Sequence, residues 1–205
     1  MISENPVVFG SGTTRIEGLF HSVGAGARGA VICHPHPLWG GEMRNSVVET
    51  LAEALSSAGL ATLRFNFRGV GLSEGEFDAG RGEQEDLIAA SQYLTQQGIS
   101  GVVPAGYSFG AWITCAVLAR RDFLPAVLVA PPIAYFPFDF SHLIGKVGII
   151  ICGERDPFCP TAELRAAAVQ AACPVEVIGA ADHSFRGKEA ELATLLAAFA
   201  ADMYG

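Results

Sequence analysis

The sequence predicts an α/β protein built on a mostly parallel sheet, and three observations carry that expectation. Short apolar or β-branched runs bounded by Gly and Pro alternate with longer segments of helical period, which is the mark of βαβ units. The first two runs, residues 7–9 and 16–21, leave no room for a crossover helix between them and so form an antiparallel edge. Of the 205 residues 50% are hydrophobic and 17% charged, enough apolar side chain to fill the interior of one domain spanning residues 1–205.

After that edge, strands are expected at 30–33, 61–65, 101–105, 126–130, 147–152 and 175–178, about eight in all, each a compact apolar run closed by turn residues. Helices are expected at 46–58, 83–97, 109–120, 162–172 and 188–203. In the last, Leu192, Leu195, Leu196 and Phe199 follow the i, i+3, i+4, i+7 spacing, so one stripe faces the sheet as core. No internal repeat, low-complexity tract or linker divides the chain.

A net charge of -8 gives a field that repels phosphate backbones and anionic membrane surfaces, so neither nucleic acid nor a membrane is an expected partner. The start of the chain lacks a basic region followed by an apolar run, and the apolar stretch from Phe123 to Phe138 is broken by four prolines. Five cysteines at 33, 115, 152, 159 and 173 show no metal-ligand spacing and read as buried, reduced thiols. A cytoplasmic protein is the expectation.

Gly106-Tyr107-Ser108-Phe109-Gly110 matches G-x-S-x-G between an expected strand and an expected helix. A sharp strand-to-helix turn there would hold Ser108 in a strained backbone conformation with its hydroxyl above the sheet, and glycines flank it because a Cβ would clash. The helix start behind it favours developing negative charge. A serine hydroxyl needs a base oriented by an acid. His183 lies in the loop after the last strand, where it can hang over the carboxyl edge of the sheet, an address that His21 and His142 lack. Asp156 follows the strand at 147–152 and is the expected acid, with Glu154 and Asp139 as competitors; Asp182 adjoins His183 too closely for a side-on contact.

The order Ser108, Asp156, His183, each at the end of a successive strand, resembles the α/β-hydrolase family over nearly the whole chain. His34-Pro35-His36-Pro37 looks like that family's oxyanion loop, and Arg68-Gly69-Val70-Gly71-Leu72-Ser73 resembles its glycine-rich turn. The run from His34 to Gly41 with Asn45 is most similar to a compact, dienelactone-hydrolase-like bacterial group. The resemblance implies the α/β-hydrolase fold and hydrolysis through a serine triad, with no cofactor. Dienelactone hydrolases proper use a cysteine nucleophile, and here the elbow residue is Ser108.

Prolines at 35 and 37 have no N–H to donate, so the oxyanion hole is expected from the backbone N–H groups of Phe109 and His36, with Leu38 as the alternative to His36. The imidazoles of His34 and His36 are expected to tie down the loop, since no third ligand suggests a metal. Gly24 to Gly29 fits G-x-G-x-x-G but precedes a strand instead of opening a helix, and so reads as a hairpin-like loop. Residues 131–146 are too few for a lid domain, leaving an open site with walls expected from Trp39, Tyr107, Tyr135, Phe136, Phe138 and Phe158, each of which reads equally well as packing. The expected partner is a small-molecule acyl substrate, most simply an ester. A thioesterase or small peptidase could use the same triad, and a non-catalytic hydrolase-fold scaffold is the alternative from another class.

Overall fold

The computed structural model describes residues 2–205 and contains one eight-stranded sheet, in the order β1-β2-β4-β3-β5-β6-β7-β8. The strands are β1 (Asn5–Ser11), β2 (Thr14–His21), β3 (Arg28–Cys33), β4 (Ala61–Phe65), β5 (Gly101–Tyr107), β6 (Ala126–Val129), β7 (Val147–Gly153) and β8 (Val175–Ile178). The helices are α1 (Ser46–Ser57), α2 (Arg81–Gln96), α3 (Phe109–Leu118), α4 (Thr161–Ala171) and α5 (Glu189–Tyr204). β1 and β2 form the expected antiparallel edge, β2 runs antiparallel to β4, and every pairing from β4 to β8 is parallel.

The central strands are buried on both faces, as a parallel sheet between helix layers requires. On one face Ile32, Val103 and Ile151 meet Leu51 and Leu55 of α1 and Leu192 and Leu196 of α5. The α5 stripe is core as its spacing predicts, with Leu195 and Phe199 partly buried against the same cluster. On the opposite face Val31, Leu63 and Phe65 pack under α2 and α3, while Leu128, Ile150 and Cys152 pack under α3 and α4. Each fully buried Leu, Ile or Phe contributes about 1.5–3 kcal/mol relative to exposure, so these two layers hold the carboxyl ends of the strands in fixed register.

Three expectations need correction. The Gly24–Gly29 stretch is not a hairpin, because β4 lies between β2 and β3 and the loop must cross it. α2 begins two residues before Glu83, whose carboxylate accepts the N–H groups of Asp78 at 2.9 Å and Gly80 at 2.7 Å and so caps the turn in front of it. Four cysteines are buried thiols, whereas Cys173 is partly exposed.

Between β6 and β7 the chain runs through turns only, and no lid is built there. No helix among the described residues is long and apolar enough to cross a membrane.

Candidate active site

At the end of β5 the chain reverses into α3 in a single residue. Ser108 carries φ 55° and ψ −119°, a conformation that costs a non-glycine residue about 1–3 kcal/mol. Its N–H donates to the Val129 carbonyl at 2.9 Å, which anchors the turn to β6. The flanking glycines are steric requirements. A Cβ at Gly106 would stand 2.3 Å from the Gly110 carbonyl oxygen, and one at Gly110 would stand 2.3 Å from the Cys33 carbonyl oxygen.

The three residues singled out by order and address meet above the carboxyl edge of the sheet. Ser108 Oγ lies 2.9 Å from His183 Nε2, and His183 Nδ1 lies 2.7 Å from Asp156 Oδ2. The ionised carboxylate is acceptor-only, so Nδ1 carries the ring proton and Nε2 is left to accept from the serine hydroxyl. Asp156 is buried, and its other oxygen accepts the Phe158 N–H at 2.8 Å, fixing the carboxylate plane. The imidazole sits between the rings of Phe158 and Tyr107, with centroids 4.7 and 5.4 Å away. Burial pushes the Tyr107 phenol up to about 12, so it stays a hydrogen-bond donor at neutral pH.

The competing acids are engaged elsewhere. Glu154 accepts the Ala180 N–H, Asp139 binds Ser141 and pairs with His142, and Asp182 accepts the N–H groups of Ser184 and Arg186 within its own turn. His21, at the far edge, hydrogen-bonds the Ser3 carbonyl.

The segment after β3 folds over the start of α3. His34 is fully buried; the Phe67 N–H donates to its Nε2 at 3.0 Å, and its Nδ1–H donates to the Pro35 carbonyl at 2.6 Å. Burial lowers its pKa to about 4 despite the Pro35 bond, so the ring is a neutral brace. His36 accepts the Leu38 N–H on Nδ1 at 3.2 Å and stacks on Trp39, centroids 4.5 Å apart and 21° between planes; burial lowers its pKa as well. Both imidazoles therefore tie down the loop. Among the described residues no group of three His, Cys, Asp or Glu side chains is placed to hold a metal ion.

Leu38 has its N–H engaged by His36, whereas the N–H groups of His36 and Phe109 meet no acceptor among the described residues. Phe109 is the first residue of α3, where no intrahelical acceptor exists.

Sequence reasoning missed what shapes this loop. Residues Pro37–Trp39 form a 3-10 turn, and Gly41 closes it by donating its N–H to the His36 carbonyl at 3.0 Å. A Cβ on Gly41 would fall 2.1 Å from the Pro35 carbonyl oxygen. Further on, the Met43 backbone is gripped by Asn66 Oδ1 and by Arg64, and Asn45 caps α1 through the Val47 N–H. The glycine-rich turn stays outside the site. Arg68 is paired with the buried Asp86, and Ser73 Oγ donates to the Asn66 carbonyl.

Ser108 and His183 open into a cleft of about 210 Å³. Of the expected walls, Trp39, Tyr107, Tyr135, Phe136 and Phe158 line it. Phe138 does not: the Pro137 carbonyl accepts from Trp112 Nε1, and beyond it Phe138 stacks on Phe140 against the α3–α4 layer. A wider groove of about 450 Å³ at the amino-terminal edge of the sheet, floored by Ile88, Ile99 and Phe123, has no histidine or cysteine in its lining.

A family described as alpha/beta hydrolase domain matches residues 31–203. An alpha-beta serine hydrolase homologue from Coxiella burnetii superposes with a TM-score of 0.86 at 36% identity, covering 97% of this chain and 98% of that one. A serine hydrolase without lid from Xanthomonas campestris superposes with a TM-score of 0.85 at 26% identity, covering 96% and 93%. A protein of Rickettsia prowazekii is 35% identical over 199 residues, 90% of this chain and 84% of its own.

Proposed function

The chain belongs to the alpha/beta hydrolase family, and we propose that within it the protein cleaves a small carboxylic ester through an acyl-enzyme on Ser108. The observation that carries this reading is the unbroken hydrogen-bond chain from Ser108 Oγ through His183 to the buried Asp156. Ser108 Oγ attacks the ester carbonyl while His183 Nε2 takes its proton. Asp156 holds Nδ1–H and stabilises the imidazolium. The negative oxygen that forms is received by the N–H groups of Phe109 and His36 at the positive end of α3. His183 then returns the proton to the leaving alcohol, and a water activated by the same imidazole releases the acid and restores Ser108.

The size of the cleft supports a small substrate. At about 210 Å³ it falls below the roughly 300–1,000 Å³ of drug-sized ligand sites, and no lid adds apolar surface over it. Each methylene that stays in water forgoes about 0.8 kcal/mol, so acyl chains of about two to four carbons should be cleaved far better than those of about twelve.

The test is covalent labelling with a fluorophosphonate probe, read by mass spectrometry, alongside turnover of short-chain esters. Labelling is expected at Ser108 alone, and Ser108→Ala should abolish it and lower turnover by at least about a thousandfold with the fold intact. A Ser108→Ala protein that retains near-wild-type turnover refutes the reading.

A further inference from the structure

Resting on the serine-esterase reading, we infer that the preferred substrate carries an uncharged, flat aromatic ring on its acyl side, held against the His36–Trp39–Phe136 wall.

Two features of the cleft carry this inference. The first is charge. No Asp, Glu, Lys or Arg lines it among the described residues, and of its two imidazoles His183 is committed to Asp156 while His36 accepts the Leu38 N–H on Nδ1 and has its pKa lowered by burial. A carboxylate or phosphate near the scissile bond would lose its hydration there and gain no counter-charge.

The second is the arrangement of rings. Two sets of packed rings line the cleft into which Ser108 opens. On the oxyanion side His36 is stacked on Trp39, and Phe136 stands 6.2 Å from His36 and 5.8 Å from Phe109 between ring centroids. On the other side Phe158 packs on His183 and on Tyr135, 5.1 Å away.

The chemistry assigns the two walls. His183 Nε2 must protonate the leaving oxygen, so the alcohol lies beside Phe158 and Tyr135. The carbonyl oxygen turns to the N–H groups of Phe109 and His36, and the acyl substituent leaves the carbon on the side away from the departing alcohol, along Trp39 and Phe136. Trp39 is 67% exposed and has an open face to offer. An aromatic ring between rings gains offset-stacked or edge-to-face contacts that a saturated ring of the same length cannot make. A purely hydrophobic cleft would instead favour the bulkier saturated ring, so the sign of the preference is decisive.

The experiment compares kcat/KM for methyl phenylacetate and methyl cyclohexylacetate, with methyl acetate as the reference substrate. The phenyl ester should lead by about tenfold or more, and Trp39→Ala should bring that ratio towards one. The mirrored pair, benzyl acetate and cyclohexylmethyl acetate, should differ by no more than about threefold, and the 4-carboxy derivative of methyl phenylacetate should fall about tenfold or more below its parent. A phenyl-to-cyclohexyl ratio at or below one, a preference confined to the alcohol side, a ratio unmoved by Trp39→Ala, or full activity on the carboxylate each overturns the inference while Ser108-dependent hydrolysis of methyl acetate stands. Absence of Ser108-dependent turnover on every ester overturns the serine-esterase reading and this inference with it.

Discussion

Tyr107 donates its phenolic hydroxyl to the main-chain carbonyl of His183 at 3.1 Å, so the residue before the proposed nucleophile holds the backbone of the residue that would serve as its base. The two lie 76 positions apart in the chain, on β5 and in the loop after β8. Tyr107→Phe keeps the ring against the imidazole and removes the hydroxyl that makes this tie. Stability should drop by about 1 kcal/mol, the net worth of one such bond. The rate should suffer separately, with kcat reduced by up to about tenfold and KM little changed, because the base loses placement and not affinity for substrate. Urea denaturation together with steady-state kinetics reads both quantities.

Asp156→Asn should lower kcat by about ten-thousandfold, since an amide cannot both accept Nδ1–H and stabilise the imidazolium. Glu154→Gln and Asp139→Asn, whose carboxylates bond elsewhere, should each stay within about threefold of wild type. Either of them matching the Asp156 variant would move the acid to that position.

Gly41→Ala tests the loop over the start of α3. Its Cβ would collide with the Pro35 carbonyl, so the segment carrying the His36 N–H must shift, and kcat should fall by about a hundredfold, the scale of one lost oxyanion donor. Gly40→Ala is the control. Its φ of 78° makes alanine strained there, at about 1 kcal/mol, but nothing lies within 4 Å of the added carbon. Equal losses of kcat in the two variants would separate Gly41 from the chemistry.

His34 gives a pH signature. Its folded pKa of about 4 lies below the ordinary 6.5, so the unfolded chain binds this proton first as the pH falls. Stability attributable to the neutral ring is present above pH 6.5, declines between 6.5 and 4, and is fully lost below 4, on the order of 3 kcal/mol in total. His34→Asn should be less stable than wild type at pH 7 and should lose less on acidification to pH 4.5. Denaturation curves at the two pH values measure the difference, and parallel losses would contradict a buried neutral imidazole.

The sequence made the sheet legible because parallel strands buried on both faces leave unbroken apolar runs, and Val147–Gly153 could hardly be anything else. The meeting of Ser108, His183 and Asp156 was legible for a different reason: each follows a strand, and strand ends in a parallel sheet share one edge. Features set by contacts distant in sequence were not legible. Gly41 is required by a carbonyl six residues earlier in a turn whose shape no local pattern announces. The grip of Asn66 on Met43 spans 23 residues. Phe138 reads like any aromatic near a cleft, and only the Trp112–Pro137 bond shows that the chain has already turned away. β1 reaches back to Asn5 and includes Pro6, which an edge strand tolerates because no partner awaits its missing N–H on the open side.

The strand β8 is four residues long, forms the edge of the sheet opposite β1, and pairs with β7 alone. The residue that would act as base is carried just beyond it, whereas Ser108 stands on a central strand. Fraying begins where cooperative contacts are fewest, so this rim can detach while the interior persists. Heat inactivation should therefore precede the main melting transition and recover on cooling, with amide exchange in residues 175–178 rising in step with the lost activity.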